Sequence, residues 1–382
     1  MKKSASPTRT IWVAALSVVC LALSLVTPLA LAAQPAAPTD AQLAEQAAMR
    51  ERQSRMPDSP GTGRFPALKE EVGSLPDHVV YRPSDLAGLG RTKLGLYIFG
   101  NGACVDDGAS ARLHLLEIAS HGYLAIAPGR IRTGPGATAP PSPRPPPSSS
   151  GEPSPLQVRT SYKDLLSALD WALAQNADPK GPYYRRIDTK AVAVSGYSCG
   201  GVQALRVAGD KRVKTVVVMN SGLFNDGAGV ALPEMDVPKS TLKSLHTPTL
   251  YVLGGETDIA WANGTDDVKR IGHVPVFLAG LKGVGHGGTY WEPNGGKAAA
   301  VVVAWLDWQL RADARAGRTF LGKDCGLCKD PAWTVQQKGL VAVGADGDRD
   351  GFGTRTYSKE ELESTGQTDT AEAIRRLDPR VK

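Results

Sequence analysis

Ala191-Val-Ala-Val-Ser-Gly-Tyr-Ser-Cys-Gly-Gly201 passes from an apolar, β-branched run into a glycine-bounded turn and then into a helical pattern. The run reads as a buried strand. Gly196-Tyr197-Ser198-Cys199-Gly200 fits G-x-S-x-G, the turn that lifts a serine hydroxyl above the end of a sheet. Such a turn is so tight that side chains two residues either side of the serine would collide, and glycine at both positions removes the clash. Five residues are a short signal. The strand before them and the helix after them give it weight.

On either side of this stretch, short apolar segments alternate with helical ones. Strands are expected at 78–81, 94–99, 123–127, 191–195, 215–219, 249–253 and 274–279. Helices are expected at 111–120, 162–175, 199–208 and 298–315. In the second of these, Leu165, Leu169 and Leu173 mark one buried face. This alternation predicts an α/β domain over 76–316, with a mostly parallel central sheet and helices on both faces.

A serine placed in this way needs a base and an acid, and in such a sheet they follow it in the order Ser, Asp or Glu, His. After strand 249–253 comes Gly254-Gly255-Glu256-Thr257-Asp258, which makes Asp258 the candidate acid, with Glu256 and Asp266 as alternatives. After strand 274–279 comes Gly283-Val284-Gly285-His286-Gly287-Gly288, where an imidazole among glycines can reach across a turn. Ser198, His286 and Asp258 are therefore the candidate catalytic residues. Of the other histidines, His114 and His121 are expected in surface or capping roles, and His78, His246 and His273 at strand edges or before strands. Oxyanion donors are expected from the N–H of Cys199 and from the loop Phe99-Gly100-Asn101-Gly102-Ala103-Cys104, at Ala103 or Cys104. Tyr197, Trp261, Tyr290 and Trp291 flank these segments and are candidates for the substrate pocket wall.

The chain has 382 residues, 42% hydrophobic and 21% charged, which suits a globular protein with a sizeable core. Residues 1–32 read as a secretory signal peptide. Lys2, Lys3 and Arg9 lead an apolar run that ends at Ala30-Leu31-Ala32. The product is expected to be secreted or periplasmic, with no membrane span once the signal is cleaved. Losing those three cations takes the formal charge from +6 to about +3. With no basic block, this argues against nucleic acid as a partner. Residues 33–75 read as a loosely structured N-terminal arm, and 133–155 as a Pro/Ser-rich surface insertion. Residues 317–340 read as an extension with a CxxC sequence, and 341–382 as a polar C-terminal tail.

Cys104, Cys199, Cys325 and Cys328 remain after cleavage, an even count that suggests two disulfides among three connectivities. If Cys104 and Cys199 both flank the oxyanion position, their side chains are neighbours. A bond between them would then staple the two donor loops, leaving Cys325 and Cys328 to pair locally. In the tail, Asp346, Asp348 and Asp350, with Gly351 at the sixth position, suit the start of a Ca²⁺ loop. The twelfth position is Tyr357 rather than Glu, so a solvated turn is the expected reading. No cofactor is expected.

Residues 78–340 resemble the α/β-hydrolase superfamily, and most closely its secreted serine esterases related to dienelactone-hydrolase and cutinase-like polyester hydrolases. The stretches that carry the likeness are Phe99-GNGAC, Ala119-SHGYLAIAPG, Val194-SGYSCGG, Met219-NSG, Leu253-GGETDIAW and Val284-GHGGTYW. The resemblance implies hydrolysis of small-molecule or polymeric carboxylic esters by Ser198, His286 and Asp258. The sequence departs from dienelactone hydrolases in having Ser198 where they have cysteine. It departs from polyester hydrolases in having Cys199 where they have methionine. The rival readings are an acyltransferase or peptidase on the same three residues, and a non-catalytic exported binding protein on the same fold.

Overall fold

The computed structural model describes residues 48, 51–142, 157–225, 233–341, 359–367 and 369–377. Residues 1–32, read as a signal peptide, most of the Pro/Ser-rich insertion, and Asp346, Asp348 and Asp350 lie outside the described residues. The described residues from Glu51 onward belong to one compact unit.

A nine-stranded sheet organises that unit, in the order β1-β2-β4-β3-β5-β6-β7-β8-β9. The strands are β1 Ala67–Glu71, β2 His78–Pro83, β3 Leu94–Gly100, β4 Tyr123–Pro128, β5 Ile187–Tyr197, β6 Thr215–Met219, β7 Thr249–Leu253, β8 Val276–Leu281 and β9 Trp333–Lys338. From β4 through β8 every neighbouring pair is parallel, while β1, β2 and β9 join antiparallel at the edges. β3, β4, β6, β7 and β8 are buried along their whole length, and β5 from Ala191 to Gly196, as near-continuous apolar runs require when helices cover both faces.

Alternation along each strand divides the apolar side chains between two layers. Leu96, Ile98, Val192 and Val194 face α2 Tyr162–Ala177, α3 Cys199–Val207 and α4 Trp261–Arg270. Tyr97, Phe99 and Ala193 face α1 Arg112–Ser120 and α5 Gly296–Arg311. The start of α2 is set by a capping box. The Ser161 hydroxyl accepts from Lys163 N–H, and Asp164 accepts from Ser161 N–H at 2.6 Å. Short helices α6 Ala314–Gly317 and α7 Gly326–Lys329 lead into β9, and α8 Lys359–Ser364 and α9 Thr370–Leu377 follow in the tail.

Four expectations change here. First, the arm at 33–75 is not loose over its described part. Arg112, 1% exposed, donates to the carbonyls of Gln53 and Met56 and pairs with Asp58, which also binds Lys69. Glu117 accepts from Thr62, and β1 completes the sheet edge. These contacts are polar and the strand is only half buried, so no apolar periodicity announces them. Second, the CxxC extension contributes β9, whose outer residues are polar for the same reason. Third, the helix expected at 298–315 ends at Arg311. Ala312 turns to φ +57°, and Asp313 caps a new helix by accepting from Arg315 N–H and Ala316 N–H. Fourth, Trp261–Arg270 is helical, although the sequence reading assigned it no element.

Candidate active site

β5 delivers Ser198 to the C-terminal edge of the parallel strands. Ser198 sits at φ +53°, ψ −119°, and α3 begins at the next residue. An ideal Cβ at Gly196 would lie 2.1 Å from the Gly200 carbonyl oxygen, and one at Gly200 would lie 2.0 Å from that of Gly100. Neither position admits a larger residue without moving backbone. The strained conformation is held from behind: Ser198 N–H donates to Met219 O at 3.0 Å, and the Ser221 hydroxyl donates to Ser198 O at 2.6 Å.

The loops after β7 and β8 bring Asp258 and His286 to it. His286 Nδ1 lies 2.7 Å from Asp258 Oδ1, and His286 Nε2 lies 3.0 Å from Ser198 Oγ. An ionised carboxylate can only accept, so Nδ1 carries the proton and Nε2 is left to accept from the Ser198 hydroxyl. Asp258 is buried, yet each of its oxygens has two donors. Oδ1 takes His286 Nδ1–H and Ala260 N–H, and Oδ2 takes Gly254 N–H and Asn220 Nδ2–H. Burial pushes the carboxyl up, but these donors outweigh it, led by His286. The group lies below its ordinary range and stays ionised. The alternatives are elsewhere: Glu256 is exposed, and Asp266 pairs with Lys239 and Arg270.

Cys104 and Cys199 form a disulfide with Cα atoms 5.4 Å apart, and Cys325 and Cys328 form another. The first joins the loop after β3 to the first turn of α3. Cys199 is the first helical residue, where a backbone N–H has no intrahelical acceptor. In the other loop, Cys104 N–H is taken by Asn101 O at 3.2 Å, so of the two expected donors Ala103 remains. The described part of the Pro/Ser-rich insertion, 133–142, and the segments that flank it meet this loop and the two acids just beyond it. Arg132 and Ser142 bind Asp106, Thr133 binds Asp107, and the N–H groups of Arg159 and Thr160 reach Cys104 O.

The four aromatic candidates separate. The Tyr197 hydroxyl donates to His286 O at 2.8 Å, and its ring lies 5.4 Å from the imidazole and 4.5 Å from the Tyr290 ring. Burial pushes its phenol up to about 12, so it remains a donor. Tyr290 is buried and donates to Asn220 Oδ1 at 3.1 Å, so it belongs to the support of the site and not to an open pocket wall. Trp291 is half-buried beside it. Trp261 opens α4 and lies over Gly280 of β8.

Two residues escaped the sequence reading. Asn220, at φ +43°, joins the Asp258 and His286 loops. Its sequence signal was an Asn just past a strand end, within the Met219-NSG stretch, to which no role was attached. His114 is fully buried, not a surface residue. Its Nε2 lies 3.0 Å from the Tyr97 hydroxyl, and burial pushes its pKa down to about 3.

Among the described residues no group of three or more His, Cys, Asp or Glu is arranged to hold a metal ion, and no helix is long and apolar enough to cross a membrane. No protein-family model matches this chain. No curated protein matches it in sequence either.

Proposed function

We propose that this chain is an exported serine hydrolase of the α/β-hydrolase type, related to dienelactone-hydrolase and cutinase-like esterases, that cleaves carboxylic esters. The observation that carries this reading is the relay from Asp258 to His286 to Ser198, at 2.7 and 3.0 Å, on a serine held at positive φ between two obligatory glycines. The disulfides and the leader support export to an oxidising compartment.

In the mechanism, His286 Nε2 takes the proton as Ser198 Oγ attacks the ester carbonyl. Asp258 holds the imidazole in the required tautomer and offsets the charge it gains. The oxyanion forms against the N–H groups of Cys199 and Ala103. The alcohol leaves with the proton from His286, and the acyl group stays on Ser198. Water, activated by the same Nε2, then releases the acid. No step calls for a cofactor.

The test is reaction of the folded protein with a fluorophosphonate, read by intact mass and peptide mapping, with Ser198→Ala as control. The expected result is a single adduct confined to Ser198, followed by turnover of a 4-nitrophenyl ester. A folded chain that takes no label would overturn the reading in favour of a binding protein. Acyl transfer to an added alcohol in place of hydrolysis, or cleavage confined to amides, would replace the esterase assignment on the same three residues.

A further inference from the structure

We propose that Asn220 is a positioning residue that locks Asp258 and the His286 loop into register; this rests on the hydrolase reading above. Asn220 follows β6, Asp258 follows β7 and Gly285 follows β8, so one side chain ties together the loops after three neighbouring strands. Its Nδ2 donates to Asp258 Oδ2 at 2.8 Å and to Gly285 O at 3.1 Å, while its Oδ1 accepts from the Tyr290 hydroxyl at 3.1 Å. The orientation of the amide is decided by chemistry. A carboxylate and a carbonyl can only accept, so the nitrogen must face both, and the oxygen is left for the phenol.

The position places three demands on a side chain. The backbone is at φ +43°, which favours Gly, Asn and Asp. Two donors and one acceptor must then be presented within a buried space, since Asn220 is 2% exposed. Glycine meets only the first demand. Aspartate fits the backbone but sets an acceptor against two acceptors. Asparagine meets all three. Asn220 touches neither Ser198 Oγ nor the His286 ring by hydrogen bond, so it acts through Asp258.

The test measures the rate of Ser198 labelling by a fluorophosphonate and the kcat and KM for 4-nitrophenyl butyrate. The proteins are wild type, Asn220→Gly, Asn220→Asp, Tyr290→Phe, Asp258→Ala, and Asn220→Gly combined with Asp258→Ala. Loss of a hydrogen bond that orients a catalytic side chain costs roughly 10–100-fold. Asn220→Gly and Asn220→Asp are expected to lower kcat by about that factor with KM within about twofold. Tyr290→Phe leaves the backbone untouched and should lower kcat by about threefold, by leaving the amide oxygen unpaired and the side chain less firmly held. In the Asp258→Ala background, the further loss from Asn220→Gly should shrink below about threefold, because the two residues act as one unit. Losses that multiply instead of overlapping would overturn the assignment, as would a loss carried by KM or a kcat in Tyr290→Phe equal to wild type. A wild-type chain that does not label refutes the hydrolase reading and this assignment together. A wild-type chain that labels while Asn220→Gly labels as fast refutes this assignment alone.

Discussion

Replacing Cys104 and Cys199 by alanine is expected to destabilise the protein far more than replacing Cys325 and Cys328. The two bonds close chains of very different length, 95 residues for the first and 3 for the second. In the chain-entropy treatment the first restricts the unfolded ensemble by about 4.7 kcal/mol and the second by about 2 kcal/mol. Cys104 and Cys199 are also fully buried, so alanine leaves their packing incomplete. Against a domain stability of about 5–15 kcal/mol, the first loss is a large fraction and the second is tolerable. The pairs should differ in activity as well. Cys104–Cys199 holds the Ala103 loop against the first turn of α3, and a misplaced oxyanion donor lowers turnover by about 10²–10³. Urea unfolding followed by tryptophan fluorescence measures the first effect, and fluorophosphonate labelling of Ser198 measures the second. Equal losses of stability in the two double variants, within about 1 kcal/mol, would refute the loop-closure reasoning. Labelling of Cys104→Ala/Cys199→Ala at the wild-type rate would refute the view that the bond sets the oxyanion geometry.

Two further outcomes follow from buried ionisable groups. His114 is held near pKa 3 when folded, against about 6.5 when unfolded. Its contribution to stability is therefore complete above about pH 6.5 and falls by about 1.4 kcal/mol per unit as the pH drops toward 3. The stability difference between wild type and His114→Gln should slope by one proton over that range, and a difference independent of pH would refute the assignment. Lys239 is 4% exposed and lies 2.6 Å from Asp267, itself 0% exposed, so Lys239→Met leaves a buried carboxylate without its cation. A loss of about 3–5 kcal/mol is expected, with more than half recovered by adding Asp267→Asn; a double variant no more stable than the single one counts against it.

Much of the fold was readable because parallel strands are written locally. Runs such as Thr215–Met219 and Thr249–Leu253 are apolar, β-branched and bounded by turns, and the strands found there have those limits. The edge strands were not readable, since β1 and β9 each meet the sheet on one side only and carry polar residues on the other. The site divides in the same way. Gly196 and Gly200 mark the serine turn within five residues, because its steric demand is local.

The partners of that turn are another matter. His286 lies 88 residues from Ser198 and 28 from Asp258, and Asn220 lies 38 from Asp258. Chain order and glycine context could nominate the first three, but not Asn220. Its role depends on side chains from the ends of three strands meeting in one buried space. Nor could sequence separate the N–H groups of Ala103 and Cys104, because only the folded turn brings Asn101 O to Cys104 N–H. The sequence by itself determined the parallel sheet, the serine turn and the set of candidate residues, all consequences of local sterics and periodicity. Tertiary structure alone decided which polar atoms face each other, because a buried donor or acceptor is satisfied by whatever the fold brings within about 3 Å of it.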